Sequence, residues 1–111
     1  MLESQQRKDL VGYRIEKAYK SFDEAKGVAK LKYWNLTGNR LYYTLFHMAS
    51  ALLLDKGFTA KTHAGVIHLV GEKFIATGLL DRTYGKLFSR LYELRQSGDY
   101  DDTFDATEEE V

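Results

Sequence analysis

The sequence contains no cysteine and no proline, and it has no long uninterrupted apolar run. Without cysteine the chain cannot form a disulfide, a thiolate metal site or a cysteine nucleophile. Cysteine usage therefore gives no indication of the cellular compartment. The absence of proline from 111 residues favours a helical bundle over a turn-rich β fold. The longest apolar stretch, from Leu41 to Leu54, is too short for an ordinary membrane span and includes three polar residues.

A net charge is also lacking, because 16 Lys and Arg residues balance 16 Asp and Glu residues. The chain therefore has no global basic field that would gather nucleic acid, and any RNA-directed role needs a local cluster of cations or a basic partner. The first ten residues are polar and contain no hydrophobic region of a signal peptide. We expect a cytoplasmic protein that does not enter a membrane.

Aromatic residues, in contrast, are abundant. They make up 14% of the chain and include eight tyrosines, which predicts a core or an interface built on large amphipathic rings. The length suits a single domain that spans residues 1–111.

Apolar residues recur at spacings of three and four along most of the chain, which predicts four helices. The predicted helices run from about Gln5 to Tyr33, from Asn39 to about Lys56, from Thr62 to Thr77, and from Asp81 to about Gly98. Turn-forming residues from Trp34 to Asn39 predict a break, Gly57 and Gly78 suit helix ends, and Thr62 and Asp81 suit N-caps. Short connections between four helices predict an all-α, antiparallel up-and-down bundle.

The acidic C-terminal segment matches the start of a further helix. Thr107 to Glu110 fit the capping-box pattern, and no helical sequence follows them. We expect a natural fifth helix that this chain does not contain.

The second predicted helix carries one polar stripe on an otherwise apolar surface. Arg40, Tyr43, Thr44 and His47 fall within an arc of roughly 100° at the helical repeat. An arginine near the start of this helix could clamp a phosphate or carboxylate group. The alternative is a buried ion pair, with Asp99 or Glu72 as the partner.

Histidines are the candidate proton-transfer groups. His47 could act as a general acid or base, or it could be a hydrogen-bonded core residue, and His63 has the same two interpretations. His68 points about 140° away from His63 on the third predicted helix, so these two cannot hold one metal ion. We expect no metal site and no cofactor.

A second inward arginine, Arg95, lies on the apolar stripe of the fourth predicted helix, and Asp99 and Tyr100 follow it. Arg95 and Asp99 could form an ordinary ion pair at the helix end. If Arg40 and Arg95 converge, they instead make a compact cationic spot suited to phosphate.

These segments resemble the HEPN domain superfamily, and in particular an uncharacterised UPF-type HEPN family. The matching stretches are residues 39–47, 51–54, 61–67 and 94–100. The resemblance implies an antiparallel helical bundle that commonly dimerises. Members include metal-independent ribonucleases of toxin–antitoxin and defence systems, and non-catalytic partners of nucleotidyltransferases or nucleotide-binding modules.

The ribonucleases of this family carry, in the late core helix, an arginine and a histidine with four to six residues between them. Counting from Arg95, the expected histidine positions hold Tyr100, Asp101 and Asp102, so this motif lacks its histidine. Arg40 and His47 are separated by six residues and fit the spacing, but they lie on the second predicted helix.

Three functions are consistent with the sequence. The first is a module that binds a nucleotidyltransferase partner, a nucleotide or RNA, with candidate contacts at Arg40, Tyr43, Arg95, Asp99 and Tyr100. The second is a ribonuclease in which Arg40 and His47 are catalytic, and the third is a structural dimerisation module.

Overall fold

The computed structural model describes the backbone of residues 4–100 and the side chains of residues 4–93. In this part of the chain there are four α-helices: α1 Ser4–Lys30, α2 Trp34–Asp55, α3 His63–Val70 and α4 Arg82–Tyr100. A π-helical segment, Gly71–Ile75, continues α3. No described residue lies in a strand, and the predicted all-α bundle is confirmed.

The central element is α2, as the apolar sequence of this helix predicts. It packs against α1 on one side and against α3 and α4 on another, whereas α1 packs against α2 alone among the described elements. The buried core on the α3 and α4 side consists of Tyr42, Leu53, Val66, Val70, Phe74, Phe88 and Leu91. Tyr42 is fully buried at its centre.

Small side chains let α1 approach α2 closely, because Ala18, Ser21 and Ala25 are the buried residues of α1. Two polar contacts mark the antiparallel register. The Arg14 guanidinium donates to the Ser50 carbonyl over 3.3 Å, and Arg40 Nη1 lies 3.3 Å from a Glu24 carboxylate oxygen. The two contacts are ten residues apart on each helix, so the register holds over nearly three turns.

The predicted break at residues 34–39 is wrong, since α2 begins at Trp34. The chain reverses within residues 31–33, where Lys32 adopts a left-handed backbone conformation with φ of 62°. The Tyr33 amide donates to the Val28 carbonyl and the Lys32 amide to the Ala29 carbonyl, which closes α1 in a Schellman motif. Burial of the turn-forming residue Thr37 outweighs its weak helix propensity.

The predicted N-caps Thr62 and Asp81 and the glycines predicted at helix ends, Gly57 and Gly78, are confirmed. The Thr62 hydroxyl accepts a hydrogen bond from the Gly65 amide at 2.9 Å, and an Asp81 carboxylate oxygen accepts one from the Thr83 amide at 2.9 Å. Gly57 and Gly78 adopt left-handed conformations with φ of 85° and 84°.

The third helix differs from the prediction in its last turns, which are π-helical rather than α-helical. This segment lies against α4 at Gly85, where an added Cβ atom would stand 2.7 Å from Ile75 Cδ1. The absence of a side chain at Gly85 therefore allows the two elements to approach.

Several aromatic residues of the helices lie on the surface. Tyr19 and Phe22 on α1 and Tyr84 on α4 are exposed, because each helix is covered on one side only. None of the described helices combines the length and the apolar character that crossing a membrane requires.

Candidate functional site

A cleft of about 420 Å³ opens between α1, the C-terminal half of α2 and the segment that leads into α3. Its positively charged lining residues are Arg14 and Lys17 from α1 and Lys61 from the segment before α3. Two histidines, His47 and His63, line the same cleft, and none of the side chains described around it is a carboxylate. A chain with no net charge therefore concentrates cations at one place.

His47 lies half-buried in the wall that α2 contributes. Its ring contacts those of Tyr43 and Phe46, with centroids 5.9 and 5.6 Å away. The pKa of His47 is lowered from the ordinary value of 6.5, first because burial disfavours the imidazolium ion. The positive charges of Lys17, Arg40 and Arg14 act in the same direction. His47 is therefore neutral at neutral pH and able to accept a proton.

His63 is the first residue of α3, and α2 holds its ring from two sides. Its Nδ1 atom lies 2.6 Å from the hydroxyl of the fully buried Tyr42. Its ring stacks on Phe46 with centroids 4.2 Å apart and planes 11° from parallel. The interpretation of His63 as a hydrogen-bonded residue agrees with this bond, and His63 also lines the cleft.

Two aromatic rings that line the cleft each lie beside an ammonium group, and one of these groups, that of Lys17, lines the cleft as well. Lys17 Nζ lies 5.1 Å from the ring centroid of Tyr13 on α1. Lys73 Nζ lies 5.2 Å from the ring centroid of Phe58, which comes from the segment between α2 and α3. Both rings line the cleft, and Tyr13 is 54% exposed.

Arg40 lies almost two turns inside α2 rather than at its N-terminal end, because the helix begins at Trp34. Its guanidinium donates to Glu24 at 3.3 Å and to the side-chain oxygen of Asn39 at 3.0 and 2.6 Å. The expected partner Glu72 is wrong, since Glu72 pairs with His68 and Lys73 instead.

The predicted stripe on α2 does share one face. The Arg40 guanidinium lies 5.1 Å from the Tyr43 ring centroid, and the Tyr43 ring is 5.9 Å from that of His47. Of these three residues, only His47 lines the cleft. Arg40 lies beside a separate depression next to Glu24 and Val28.

The remaining predicted site residues, Arg95, Asp99 and Tyr100, have side chains outside the described residues. The backbone of α4 continues to Tyr100, and the Tyr92 ring lies 5.7 Å from that of the buried Tyr42. The convergence of Arg95, Asp99 and Tyr100 with Arg40 stays a prediction.

The described side chains contain no group of three His, Asp or Glu residues that could hold a metal ion. His68 faces solvent, where Nε2 lies 3.2 Å from a Glu72 oxygen, while His63 bonds to Tyr42. The two histidines are separate, as their angular spacing on α3 predicts.

The sequence interpretation missed the cationic residues of the cleft, namely Arg14, Lys17 and Lys61. Arg14 and Lys17 lie on α1 among many other charged residues, and only the hairpin register brings them to His47. The spacing of three between Arg14 and Lys17 is the signal that could have placed them on one helix face.

The sequence matches the HEPN domain over residues 11–111. The chain belongs to the HEPN domain family. The match starts within α1 and includes every element that lines the cleft.

Relatives of this HEPN domain include proteins of Thermotoga maritima and Methanocaldococcus jannaschii. A "UPF0332 protein" of Thermotoga maritima is 34% identical over 106 residues, which cover 96% of this chain and 80% of the relative. Two proteins of Methanocaldococcus jannaschii are named "Putative toxin MJ0142" and "Putative toxin MJ0605". They are 34% and 40% identical over 97 residues, covering 87% of this chain and 66% and 72% of the relatives.

Proposed function

We propose that this HEPN domain is a toxin-like module that binds phosphate groups of RNA or of a nucleotide in its cationic cleft. The observation that carries the proposal is the lining: Arg14, Lys17 and Lys61 converge with two histidines and without a carboxylate among the described residues. Guanidinium and ammonium groups are the usual phosphate ligands of proteins. The names of the two archaeal relatives support a toxin-like role.

Arg40 and Tyr43 extend this site along α2 in the proposal. They continue the face on which His47 stands, so a strand that leaves the cleft beside His47 would meet Tyr43 and then Arg40. A phosphate group would replace the Glu24 carboxylate as the partner of Arg40, because carboxylate and phosphate are both anions and the Arg40–Glu24 ion pair is partly exposed. Arg95, Asp99 and Tyr100 remain further proposed contacts.

The binding test measures fluorescence anisotropy of a labelled single-stranded RNA of about ten nucleotides, a length typical of single-strand sites. We expect Lys17→Glu and Lys61→Glu to weaken binding about tenfold or more and to reduce the dependence of affinity on salt. The control is Lys26→Glu, which makes the same charge change on α1. Lys26 stands over the Phe22 ring at 4.9 Å, much as Lys17 stands over Tyr13, but it does not line the cleft. Equal losses in all three variants would contradict a specific site.

The second candidate function is metal-independent ribonuclease activity, and the position and lowered pKa of His47 favour it. A neutral imidazole in a cationic cleft could take the proton of a ribose 2′-hydroxyl as its oxygen attacks the adjacent phosphorus. The bond from phosphorus to the 5′-oxygen would then break, leaving a 2′,3′-cyclic phosphate on one fragment, and the departing 5′-oxygen would take a proton from solvent water to become a 5′-hydroxyl. Arg40 or Arg14 would stabilise the negative charge that develops on the non-bridging phosphate oxygens.

The cleavage test incubates RNA with the protein in the presence of EDTA. We expect His47→Gln to abolish cleavage and to retain binding, because Gln keeps the polar shape without the proton-accepting ring. Cleavage by Arg40→Ala and by Arg14→Ala identifies which of the two arginines acts together with His47. If the wild-type protein binds the RNA and leaves it intact, the enzyme candidate is wrong and the binding module stands.

The proposal includes a homodimer and a partner that contains a nucleotidyltransferase domain, as the HEPN resemblance implies. Co-purification with the product of an adjacent nucleotidyltransferase gene tests this partner. A dimer that binds neither RNA nor phosphate would leave the third function, a structural dimerisation module.

A further inference from the structure

The cleft has aromatic walls for which phosphate binding alone gives no reason. Tyr13 is more than half exposed on α1 at the edge of the cleft, although its ring contributes nothing to the buried core. Phe58 lines the same cleft from a different element and is partly buried against the core. An exposed aromatic ring at a cleft wall is available to a ligand.

We infer that Tyr13 and Phe58 form a base-binding subsite beside the cationic residues, so that the cleft takes a nucleotide whose base is unpaired. This inference rests on the proposed phosphate-binding function and adds the residues that hold the base. It assigns Lys17 and Lys61 to phosphate and the two rings to the nucleobase.

The placement of the cations supports this division. Lys17 stands over Tyr13 at 5.1 Å and Lys73 over Phe58 at 5.2 Å, so each ring has an ammonium group beside it. A nucleotide presents a flat base next to an anionic phosphate, and proteins hold single strands by stacking bases on aromatic rings beside cations. On α1, Tyr13 and Lys17 offer both contacts within about one turn of the helix. Lys73 reaches Phe58 from the π-helical segment, where it also pairs with Glu72, and it does not line the cleft.

The size of the cleft favours an unpaired nucleotide over a duplex. Its volume of about 420 Å³ lies in the range of small-ligand pockets. In a duplex each base is already stacked on its neighbours and paired, so unstacking it costs a few kcal/mol before it can contact Tyr13. Free nucleotides and single strands share the required chemistry, and they are the two sources of ligand.

The test compares the proteins' affinities for four probes: a single-stranded RNA, the same RNA in a duplex, a ribonucleoside monophosphate, and inorganic tripolyphosphate. We expect Tyr13→Leu to weaken single-stranded RNA binding about tenfold, the lower part of the range for loss of one stacked base. Tripolyphosphate binding should not change, since it has no base. Phe58→Leu should act in the same direction, with thermal melting used to show that it folds.

Tyr19→Leu is the matched control, because Tyr19 is also an exposed tyrosine of α1, at 64%, and does not line the cleft. It should bind all probes like the wild-type protein. Competition by the monophosphate that depends on Tyr13 would identify a free nucleotide as a ligand, and its absence together with tight RNA binding would identify a strand.

The outcomes separate the two proposals. If tripolyphosphate and RNA bind the wild-type protein but Tyr13→Leu and Phe58→Leu bind RNA equally well, the base subsite is wrong and the phosphate site stands. Duplex RNA that binds as tightly as the single strand also overturns the subsite. If the wild-type protein binds neither RNA nor tripolyphosphate, both proposals fail.

Discussion

At the scale of single residues, His47 illustrates how an ordinary side chain acquires particular properties from its surroundings. Nothing in the sequence next to it explains its lowered pKa, since Leu45, Phe46 and Met48 are apolar. Burial comes from the packing of α2, and two of the cations that act on it, Arg14 and Lys17, come from α1. The neutral form is therefore favoured by burial and by cations of both helices of the hairpin, Lys17 and Arg14 on α1 and Arg40 on α2.

The lowered pKa of His47 predicts that acid weakens the fold. The unfolded chain binds a proton at His47 near pH 6.5, whereas the folded protein binds it only at lower pH, so the free energy of unfolding falls below pH 6.5. His47→Gln should remove this loss. Its unfolding free energy, measured with urea from about pH 5 to about pH 8, should decline less on the acid side than that of the wild-type protein.

The control for His47→Gln is His68→Gln, which removes an exposed histidine of α3 that lies beside Glu72. Parallel stability curves for the wild-type protein and His47→Gln would show that His47 does not titrate differently on folding.

At the scale of elements, the tight α1–α2 connection decides the register that builds the cleft. Three residues, 31–33, separate the two helices, and two hydrogen bonds close the Schellman motif around Lys32. A lysine in the left-handed region is strained, because its Cβ atom approaches a backbone oxygen there. Gly57, by comparison, fills the equivalent position after α2 without this strain.

Lys32→Gly should therefore stabilise the hairpin. Relief of the left-handed strain outweighs the greater flexibility of glycine in the unfolded chain, for a net gain of about 0.5–1 kcal/mol. The midpoint of thermal or urea unfolding checks this value. Lys30→Gly is the comparison, since the last residue of α1 is helical and glycine there should lower stability. A loss of stability in Lys32→Gly would mean that the lysine side chain has a favourable contact that exceeds the strain.

At the scale of the whole molecule, one side of α2 is only partly covered by the residues that the structure describes. Leu41, Leu45, Met48 and Leu52 follow spacings of four and three and so share one face. Leu41, Leu45 and Leu52 are half-buried and pack in part against the core, and Met48 is 38% exposed. This apolar face lies away from the angular position of Tyr43 and His47 on the helix. It is the surface on which we expect the proposed homodimer to form.

Met48→Glu should shift the protein toward monomer, since a charge cannot be buried in an apolar interface without a partner. Light scattering across micromolar concentrations, coupled to size-exclusion chromatography, measures the change. Leu79→Glu is the control, because Leu79 is 71% exposed in the turn before α4 and lies off this face. A wild-type protein that is monomeric at all these concentrations would contradict the dimer.

The sequence by itself determined the fold class, the four helices and their caps, because apolar spacing, N-capping side chains and glycine ends are local signals. The capping of α3 by Thr62 and the ends at Gly57 and Gly78 follow directly from residue type. It also determined family membership and the stripe on α2.

The start of α2 at Trp34 could not be predicted locally, since tertiary burial decided it. The pairing of Arg40 with Glu24 and the meeting of Lys17, Lys61 and His47 depend on contacts between residues far apart in the chain. Only the tertiary structure decided them, because hairpin register and helix packing set which charges share a cleft.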